Sequence, residues 1–105
     1  MTLRIEPYRD SDDGRCRVVI DEDLTIYTIS ALKQEISPAL DTYRHIEIDL
    51  AGIEEVDSAG IQLLLAFRMD VMRQEKSLTL ISLSTSLINM LERYGLSQQF
   101  NTGDV

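Results

Sequence analysis

The chain has 105 residues, enough for one domain with a modest hydrophobic core, and we treat residues 1–105 as a single domain. It carries 18 acidic and 10 basic side chains, a formal net charge of −8, and no cluster of lysine or arginine. This balance argues against binding to nucleic acid or to an anionic membrane surface.

The remaining composition restricts the compartment. One cysteine allows neither an internal disulfide nor a Cys-x-x-Cys metal site. The start of the sequence lacks the apolar core of a signal peptide, and no apolar run approaches membrane-spanning length. A cytoplasmic protein without membrane insertion is therefore expected.

The chain begins with two predicted strands. Apolar and polar residues alternate over residues 3–8, and a second strand follows over residues 15–21. The acidic, glycine-ended segment 10–14 between them predicts a hairpin turn. Its glycine stands one position too early for an EF-hand loop and no glutamate ligand follows, so a calcium site is not expected. Cys16 is expected to be a small buried hydrophobe rather than a reactive thiol.

The first predicted helix follows an acidic loop, residues 21–23, and a short extended stretch, residues 24–27. Thr28 or Ser30 is the expected N-cap. Ser37-Pro38 is expected to end or tighten the helix, because the residue before a proline avoids the α region. The apolar positions have helical spacing: Ile29, Leu32 and Ile36.

A third strand is predicted over residues 45–50, followed by a polar loop that ends in Asp57-Ser58-Ala59-Gly60. His45 has no obvious partner, so it is expected to face solvent or to cap rather than to act in catalysis. A long apolar helix starts at Ser58 and extends to about residue 75.

This second helix is apolar on two sides. At about 100° per residue, one broad face is expected to lie on the sheet: Ile61, Leu64, Leu65, Phe67, Val71 and Met72. A second stripe is either covered by a neighbouring element or exposed as a contact surface: Leu63, Ala66 and Met69.

A fourth strand is predicted over residues 78–81, and Ser84 and Gly95 are the expected caps of a third helix. Leu96 and Phe100 are expected to pack back, and residues 101–105 to fray. The element order predicts an α/β fold. Its mixed, mostly parallel sheet has four to five strands, with right-handed crossovers and helices packed on it.

Ser58 is the candidate functional side chain of this sequence. A hydroxyl in the first turn of a helix suits an N-cap, and it also suits a phosphate, because unsatisfied backbone N–H groups and the positive end of the helix dipole lie beside it. A hydrolase built on Asp57 and Ser58 would need a base, and the sequence offers none. Glu54, Glu55 and Asp57 fit a solvated loop better than a cation site, and no metal or cofactor is expected.

A phospho-accepting receiver domain is the other α/β alternative, with Asp49 as its acceptor. Such a domain needs an acidic pair after its first strand and a lysine after a later one to bind Mg²⁺ and the acyl phosphate. Here a hairpin turn follows the first strand, and Ser82, Ser84 and Thr85 follow the fourth. This alternative is therefore set aside.

The segments Ile48-Asp49-Leu50, Val56-Asp57-Ser58-Ala59-Gly60-Ile61 and Leu63-Leu64-Leu65, with the closing Tyr94-Gly95-Leu96, resemble the STAS domain. The likeness is to its anti-sigma factor antagonists in particular. It covers essentially the whole chain in element order. The Asp-Ser-x-Gly entry to the second helix is its most specific part.

The resemblance implies a partner-switching protein that is not an enzyme. The phosphorylated serine of the family falls on Ser58, Asp57 flanks it, and Gly60 matches a glycine that allows close approach of a partner. Implied partners are an anti-sigma factor or a GHKL-type serine kinase, and a PP2C-type phosphatase. The expected partner-binding residues are Asp23, Asp57, Ser58, Ala59, Gly60, Gln62, Leu63 and Ala66.

The family leaves alternatives open. STAS domains also serve as accessory subunits of lipid-transport ABC systems and in chemotaxis-linked signalling complexes. Nucleotide binding and the oligomeric state are not determined by the sequence.

Overall fold

The fold is built on one five-stranded sheet, with strands in the order β1-β2-β3-β4-β5. The computed structural model describes residues 3–8 and 14–102. The strands are β1 (Leu3–Pro7), β2 (Arg15–Ile20), β3 (His45–Asp49), β4 (Ser77–Ile81) and β5 (Asn101–Thr102). The helices are α1 (Ile29–Thr42), α2 (Ser58–Arg73) and α3 (Thr85–Arg93).

The sheet is mixed and mostly parallel, which confirms the predicted class. β1 pairs antiparallel with β2, so the chain reverses between them, although the predicted turn residues 10–13 lie outside the described residues. The other neighbours pair in parallel. The register places Arg15 beside His45 and His45 beside Ser77, so three parallel strands start at one level.

All three helices cover the same face of the sheet. The strand order never reverses direction, and right-handed crossovers then place each connecting helix on one side. Burial along β2, β3 and β4 alternates accordingly, with one set of side chains buried and the other half-buried or exposed. The buried set forms the core with the inward faces of the helices: Cys16, Val18, Ile20, Ile46, Ile48, Leu78 and Leu80, with Leu32, Ile36, Leu64, Phe67 and Leu87.

Helix α1 continues through Pro38, so the prediction that this proline ends the helix is wrong. The ring removes one hydrogen-bond donor from the helix interior, which costs roughly 3 kcal/mol. Ala39 and Leu40, which follow immediately, are both buried. Burial of a leucine side chain alone contributes about 1.5–3 kcal/mol, so tertiary packing offsets the lost donor.

Two further expectations need correction. The stretch 24–27 is not extended: Leu24 forms an isolated parallel bridge to Val56, and residues 25–28 make a turn. Asn101 and Thr102 do not fray, because they pair with Thr79 and Leu80. The rest of the predicted frayed tail, residues 103–105, lies outside the described residues.

The third helix ends as predicted. The Ser84 side chain accepts a hydrogen bond from the Leu87 N–H at 3.3 Å, and Gly95 adopts a left-handed φ of 68° after the last turn. The Leu96 N–H then donates to the Leu91 carbonyl, and Phe100 is buried. Among the described helices, none is both long and apolar enough to span a bilayer.

Substitution Pro38→Ala is expected to raise the free energy of unfolding by about 1–2 kcal/mol, because it restores a donor for the Gln34 carbonyl. The greater freedom of the unfolded chain offsets part of that gain. Urea unfolding followed by circular dichroism measures the change. Lys33→Ala, on the exposed side of the same helix, is the control and should change stability by less than about 0.5 kcal/mol. No gain in the Pro38 variant would contradict the account.

Candidate functional site

Asp57, and not Ser58, is the N-cap of α2. Its backbone is extended, and its Oδ1 accepts a hydrogen bond from the Gly60 N–H at 3.1 Å. The expectation that Ser58 caps the helix is therefore wrong. A carboxylate provides the stronger acceptor at the positive end of the helix dipole, so the residue one position earlier satisfies the free donor.

Ser58 is consequently free at the surface. It is the first residue of α2 and is exposed, and its hydroxyl makes no hydrogen bond within the described part of the chain. A serine that is not used as a cap can be modified without the loss of a structural bond. The hydroxyl of Ser58 is therefore accessible, and its use as a phosphate acceptor stays a prediction.

The loop after β2 is joined to the start of α2 by backbone hydrogen bonds. The Leu24 N–H donates to the Glu55 carbonyl at 2.9 Å, and the Leu24 carbonyl accepts from the Asp57 N–H at 3.0 Å. These bonds form the parallel bridge between Leu24 and Val56. Two loops that are about thirty residues apart in sequence therefore form one surface at the carboxyl ends of β2 and β3.

Asp57 joins the two loops a second time through its side chain. Its Oδ2 accepts from the Ile26 N–H at 3.0 Å while its Oδ1 caps α2. The Ile26 N–H is the main cause of a lowered pKa of Asp57, and the N–H groups of Gly60 and Ala59 lower it further, because all of them stabilise the ionised carboxylate.

Asp23 also lies where the two loops meet. Its Oδ1 accepts from the Glu55 N–H at 3.1 Å, and its carbonyl accepts from the Thr28 hydroxyl at 2.6 Å. Thr28 stands at the N-cap of α1 but makes no side-chain cap bond, since its hydroxyl instead accepts from the Thr25 N–H at 3.0 Å. The structure therefore places Asp23 beside the loop that carries Asp57.

Gly60 is required by internal packing. It is buried, and a Cβ at this position would lie 2.2 Å from the Leu24 carbonyl oxygen. That oxygen belongs to the backbone and is fixed by its hydrogen bond to Asp57. The family resemblance implied that this glycine lets the helix start approach a partner, and that role stays a prediction beside the internal one.

The outer face of α2 differs from the predicted one at two positions. Leu63 is only 6% exposed, and α2 packs against α1 as well as against the sheet. Met72, assigned to the sheet-facing side, is 56% exposed in the last turn. Leu63 is therefore buried rather than exposed, and its part in partner binding stays a prediction. The exposed stripe that begins at Ser58 is Gln62, Ala66 and Met69, and Ala59 is half-buried.

Two apolar residues of this surface were not predicted from the sequence. Ile26 is 58% exposed and Tyr27 is 93% exposed, in the turn that Asp57 holds. Exposed apolar side chains that lie next to each other are candidates for a contact surface, and tyrosine is among the residues enriched at binding hot spots. Their signal in the sequence is an apolar pair within a polar loop, a segment for which the sequence predicts an extended stretch.

The charged groups at the carboxyl ends of β2 and β3 are all negative. No lysine or arginine occurs between Arg17 and Lys33 or between Arg44 and Arg68. The charged side chains of the two loops and of the last residue of β3 are all carboxylates: Asp21, Glu22, Asp23, Asp49, Glu54, Glu55 and Asp57. The surface thus combines a small apolar patch with an acidic surround, which complements a partner with basic groups around an apolar pocket.

His45 and Cys16 lie away from this edge. His45 begins β3, whereas Ser58 follows the end of that strand. His45 does have a partner, because its Nδ1 lies 2.8 Å from the Ser77 Oγ, which corrects the expectation of none. Cys16 is buried as predicted, and burial raises the pKa of its thiol to about 11. In residues 3–8 and 14–102 no three potential metal ligands converge.

The family model described as "Mlab, STAS domain" matches residues 9–102. No curated protein sequence matches the chain.

Several solved structures share the fold. A Thermotoga maritima protein assigned as an anti-sigma factor antagonist aligns with a TM-score of 0.80, over 95% of this chain and 86% of its own, at 19% identity. An anti-sigma factor antagonist from Mycobacterium paratuberculosis gives 0.77, over 97% and 87%, at 21% identity. The antagonist SpoIIAA in its unphosphorylated form gives 0.72, over 96% and 89%, at 14% identity.

Substitution Gly60→Ala tests the close approach of Leu24. Alanine normally favours a helix over glycine by about 1 kcal/mol. Here the added Cβ would strike a backbone oxygen, so we expect a net loss of about 1–3 kcal/mol in the free energy of unfolding. Gln62→Ala, in the next turn on the exposed side, should be nearly neutral. A more stable Gly60→Ala protein in urea unfolding would refute the packing argument.

The lowered pKa of Asp57 predicts a pH dependence of stability. The ionised carboxylate is stabilised only in the folded chain, so its contribution is complete above the ordinary aspartate pKa of about 3.9. The contribution is lost as the pH falls through the lower folded-state value. The difference in free energy of unfolding between wild type and Asp57→Asn should therefore be constant from neutral pH to about pH 5 and shrink at more acidic pH.

Urea unfolding at a series of pH values measures this difference. Asp41→Asn, which removes one exposed carboxylate from the end of α1, controls for the change in net charge. A difference for Asp57→Asn that stays the same down to the acid-unfolded range would show that the Ile26 and Gly60 bonds do not depend on ionisation.

Proposed function

Because the chain belongs to the STAS domain family, we propose that it is a phosphoregulated protein-binding module of the anti-sigma factor antagonist type. The unphosphorylated chain binds and sequesters an anti-sigma factor or GHKL-type serine kinase. Phosphorylation of Ser58 ends the complex, and a PP2C-type phosphatase restores it. The observation that carries the proposal is the exposed hydroxyl of Ser58, left free because Asp57 caps the helix.

Proteins of the same fold support this proposal. SpoIIAA is known in both an unphosphorylated and a phosphorylated form, and its fold is shared with this chain. The fold can therefore hold a phosphate while it remains intact. The first turn of α2 provides the local reason here, because its backbone N–H groups and dipole stabilise a phosphate beside them.

The contact surface in this proposal includes the predicted residues that the structure leaves accessible and the two apolar residues beside them. Gly60 and Leu63 support it from beneath. The acidic surround steers a partner with basic groups, and the apolar side chains supply the buried centre. The surface consists of Asp23, Ile26, Tyr27, Asp57, Ser58, Ala59, Gln62 and Ala66.

Phosphorylation would act on this surface through desolvation. A phosphate adds about −1.5 to −2 charges next to Asp57. A partner packed over Ile26, Tyr27 and the first turn of α2 would have to bury that charge. Burial of an unpaired charge is strongly unfavourable, whereas the free chain keeps the phosphate in water. One covalent change therefore weakens the complex without unfolding the domain.

We propose a binding and substrate role rather than catalysis. The imidazole of His45 stands at the opposite edge of the sheet from Ser58. Asp57 uses both carboxylate oxygens to accept backbone hydrogen bonds, so it is already committed to structure. Ser58 thus has no partner that would remove its proton for nucleophilic attack in the described chain. Labelling of Ser58 by a serine-reactive phosphonate would instead support a hydrolase function.

An accessory subunit of a lipid-transport ABC system, or of a chemotaxis-linked complex, is the alternative. Such a subunit would use the same exposed face of α2 and would not need a modified Ser58. The two roles differ in one measurable respect, which is whether binding responds to a charge at residue 58.

Affinity capture from the native cell with wild type, Ser58→Ala and Ser58→Asp is the test. We expect Ser58→Ala to retain the partner and Ser58→Asp to lose at least roughly tenfold in affinity, the scale of one buried unpaired charge. Ser86→Asp is the matched control, because Ser86 is also an exposed serine in the first turn of a helix. Mass spectrometry identifies the captured proteins.

Two results would count against the proposal. Equal capture of a kinase or an anti-sigma factor by all variants would remove the switch. Equal capture of an ABC ATPase by all variants would favour the transporter subunit instead.

A further inference from the structure

The face of the sheet opposite the helices is not covered by any described element. The side chains that point to this face from β2, β3 and β4 are half-buried or exposed, and most of them are polar or charged. They stand in rows fixed by the strand register. One row joins Arg15, His45 and Ser77, and the next joins Arg17, Glu47 and Thr79.

A small groove lies at the amino-terminal edge of this face. Its volume is about 110 Å³, room for a group of a few heavy atoms. The groove lies at the opposite edge of the sheet from Ser58, so nothing in the proposed switch uses it. It is lined by Arg15, His45, Ile46, Glu47, Ser77 and Thr79.

The charges around the groove do not balance. Glu47 is already committed, because its Oε1 accepts from the Tyr8 hydroxyl at 2.5 Å and lies 3.7 Å from the Arg17 Nε. Arg15 has no carboxylate within ion-pair distance among the described residues. Within residues 3–8 and 14–102, one guanidinium at the groove is thus without a carboxylate partner.

The Arg15 guanidinium is oriented rather than loose. It lies 5.6 Å from the centre of the Tyr8 ring, and the Arg17 guanidinium lies 5.9 Å from the same ring. Cation–π contacts of this kind hold a guanidinium in place while its N–H groups remain available. The Tyr8 ring is itself fixed by hydrogen bonds to Glu47 and Arg17.

The remaining polar groups of the groove supply donors. When Ser77 donates to the Nδ1 of His45, the hydrogen of the neutral ring lies on Nε2, which has no partner within the described chain. The Thr79 hydroxyl lines the groove one row further. Beside this set, the Nε of Arg17 is buried without a hydrogen-bond acceptor among the described residues. The cluster therefore has more donors than acceptors.

We infer that this groove binds a small oxyanion, either a planar carboxylate or a tetrahedral phosphate- or sulfate-type group. Arg15 supplies the charge and paired N–H donors, and His45 and Thr79 supply the flanking donors. Guanidinium groups match the geometry of both kinds of oxyanion. This inference is independent of the proposed function, since it concerns other residues at another edge of the sheet.

The single histidine of the chain makes the test direct, because the ring signals of His45 in an NMR spectrum report on the groove alone. Sodium sulfate and sodium acetate are the two probes, each titrated at fixed pH and at ionic strength held constant with sodium chloride. We expect a saturating shift of the His45 signals with at least one probe. The tighter of the two identifies the group as tetrahedral or planar.

Two arginine variants separate binding from general charge effects. Arg15→Gln should raise the midpoint of the titration at least roughly tenfold, the effect of one lost charge-assisted contact. Arg44→Gln removes the same charge from an exposed residue next to His45 that does not line the groove, and it should change the midpoint less than about twofold. Thr79→Val should weaken binding while the charge is retained.

Circular dichroism of each variant confirms that the fold is kept. Non-saturating shifts with both probes would overturn the inference. Equal effects of Arg15→Gln and Arg44→Gln would overturn it as well, because the shifts would then report only the local ionic atmosphere.

Discussion

The contact between the Leu24 backbone and the start of α2 is the constraint on which the candidate site depends. The Leu24 carbonyl accepts from the Asp57 N–H at 3.0 Å, and it leaves no space for a Cβ on Gly60. The Asp57 side chain adds a second link to the same loop at Ile26. A glycine and an aspartate three residues apart thus set both the position of the helix start and the shape of the surface around it.

Ser58 owes its availability to that same arrangement. Because Asp57 accepts from both the Ile26 and the Gly60 N–H groups, the helix needs no cap from the serine that follows. A hydroxyl that carried the cap would lose a structural bond on modification. A hydroxyl without that duty can carry a phosphate while the fold is kept, which is the property that a reversible switch needs.

The sequence predicted what depends on local pattern. Alternation and helical spacing gave the element order from β1 to α3, and Ser84 and Gly95 marked the ends of α3 correctly. The predictions were wrong where contacts between segments distant in sequence determine the local structure. Cap choice between Asp57 and Ser58 depends on Ile26, thirty-one residues earlier. Leu63 is buried on a helix that packs against α1 as well as against the sheet, and the passage of α1 through Pro38 depends on buried side chains beyond it. None of these contacts leaves a periodic signal.

The most direct test of the central claim is the position of phosphate on the protein isolated from its native cell. Intact-mass measurement followed by peptide mapping should show one phosphate per chain on Ser58 in part of the population, and treatment with a PP2C-type phosphatase should remove it. Phosphate on Ser86 or another serine instead, with Ser58 unmodified under every growth condition tested, would contradict the account.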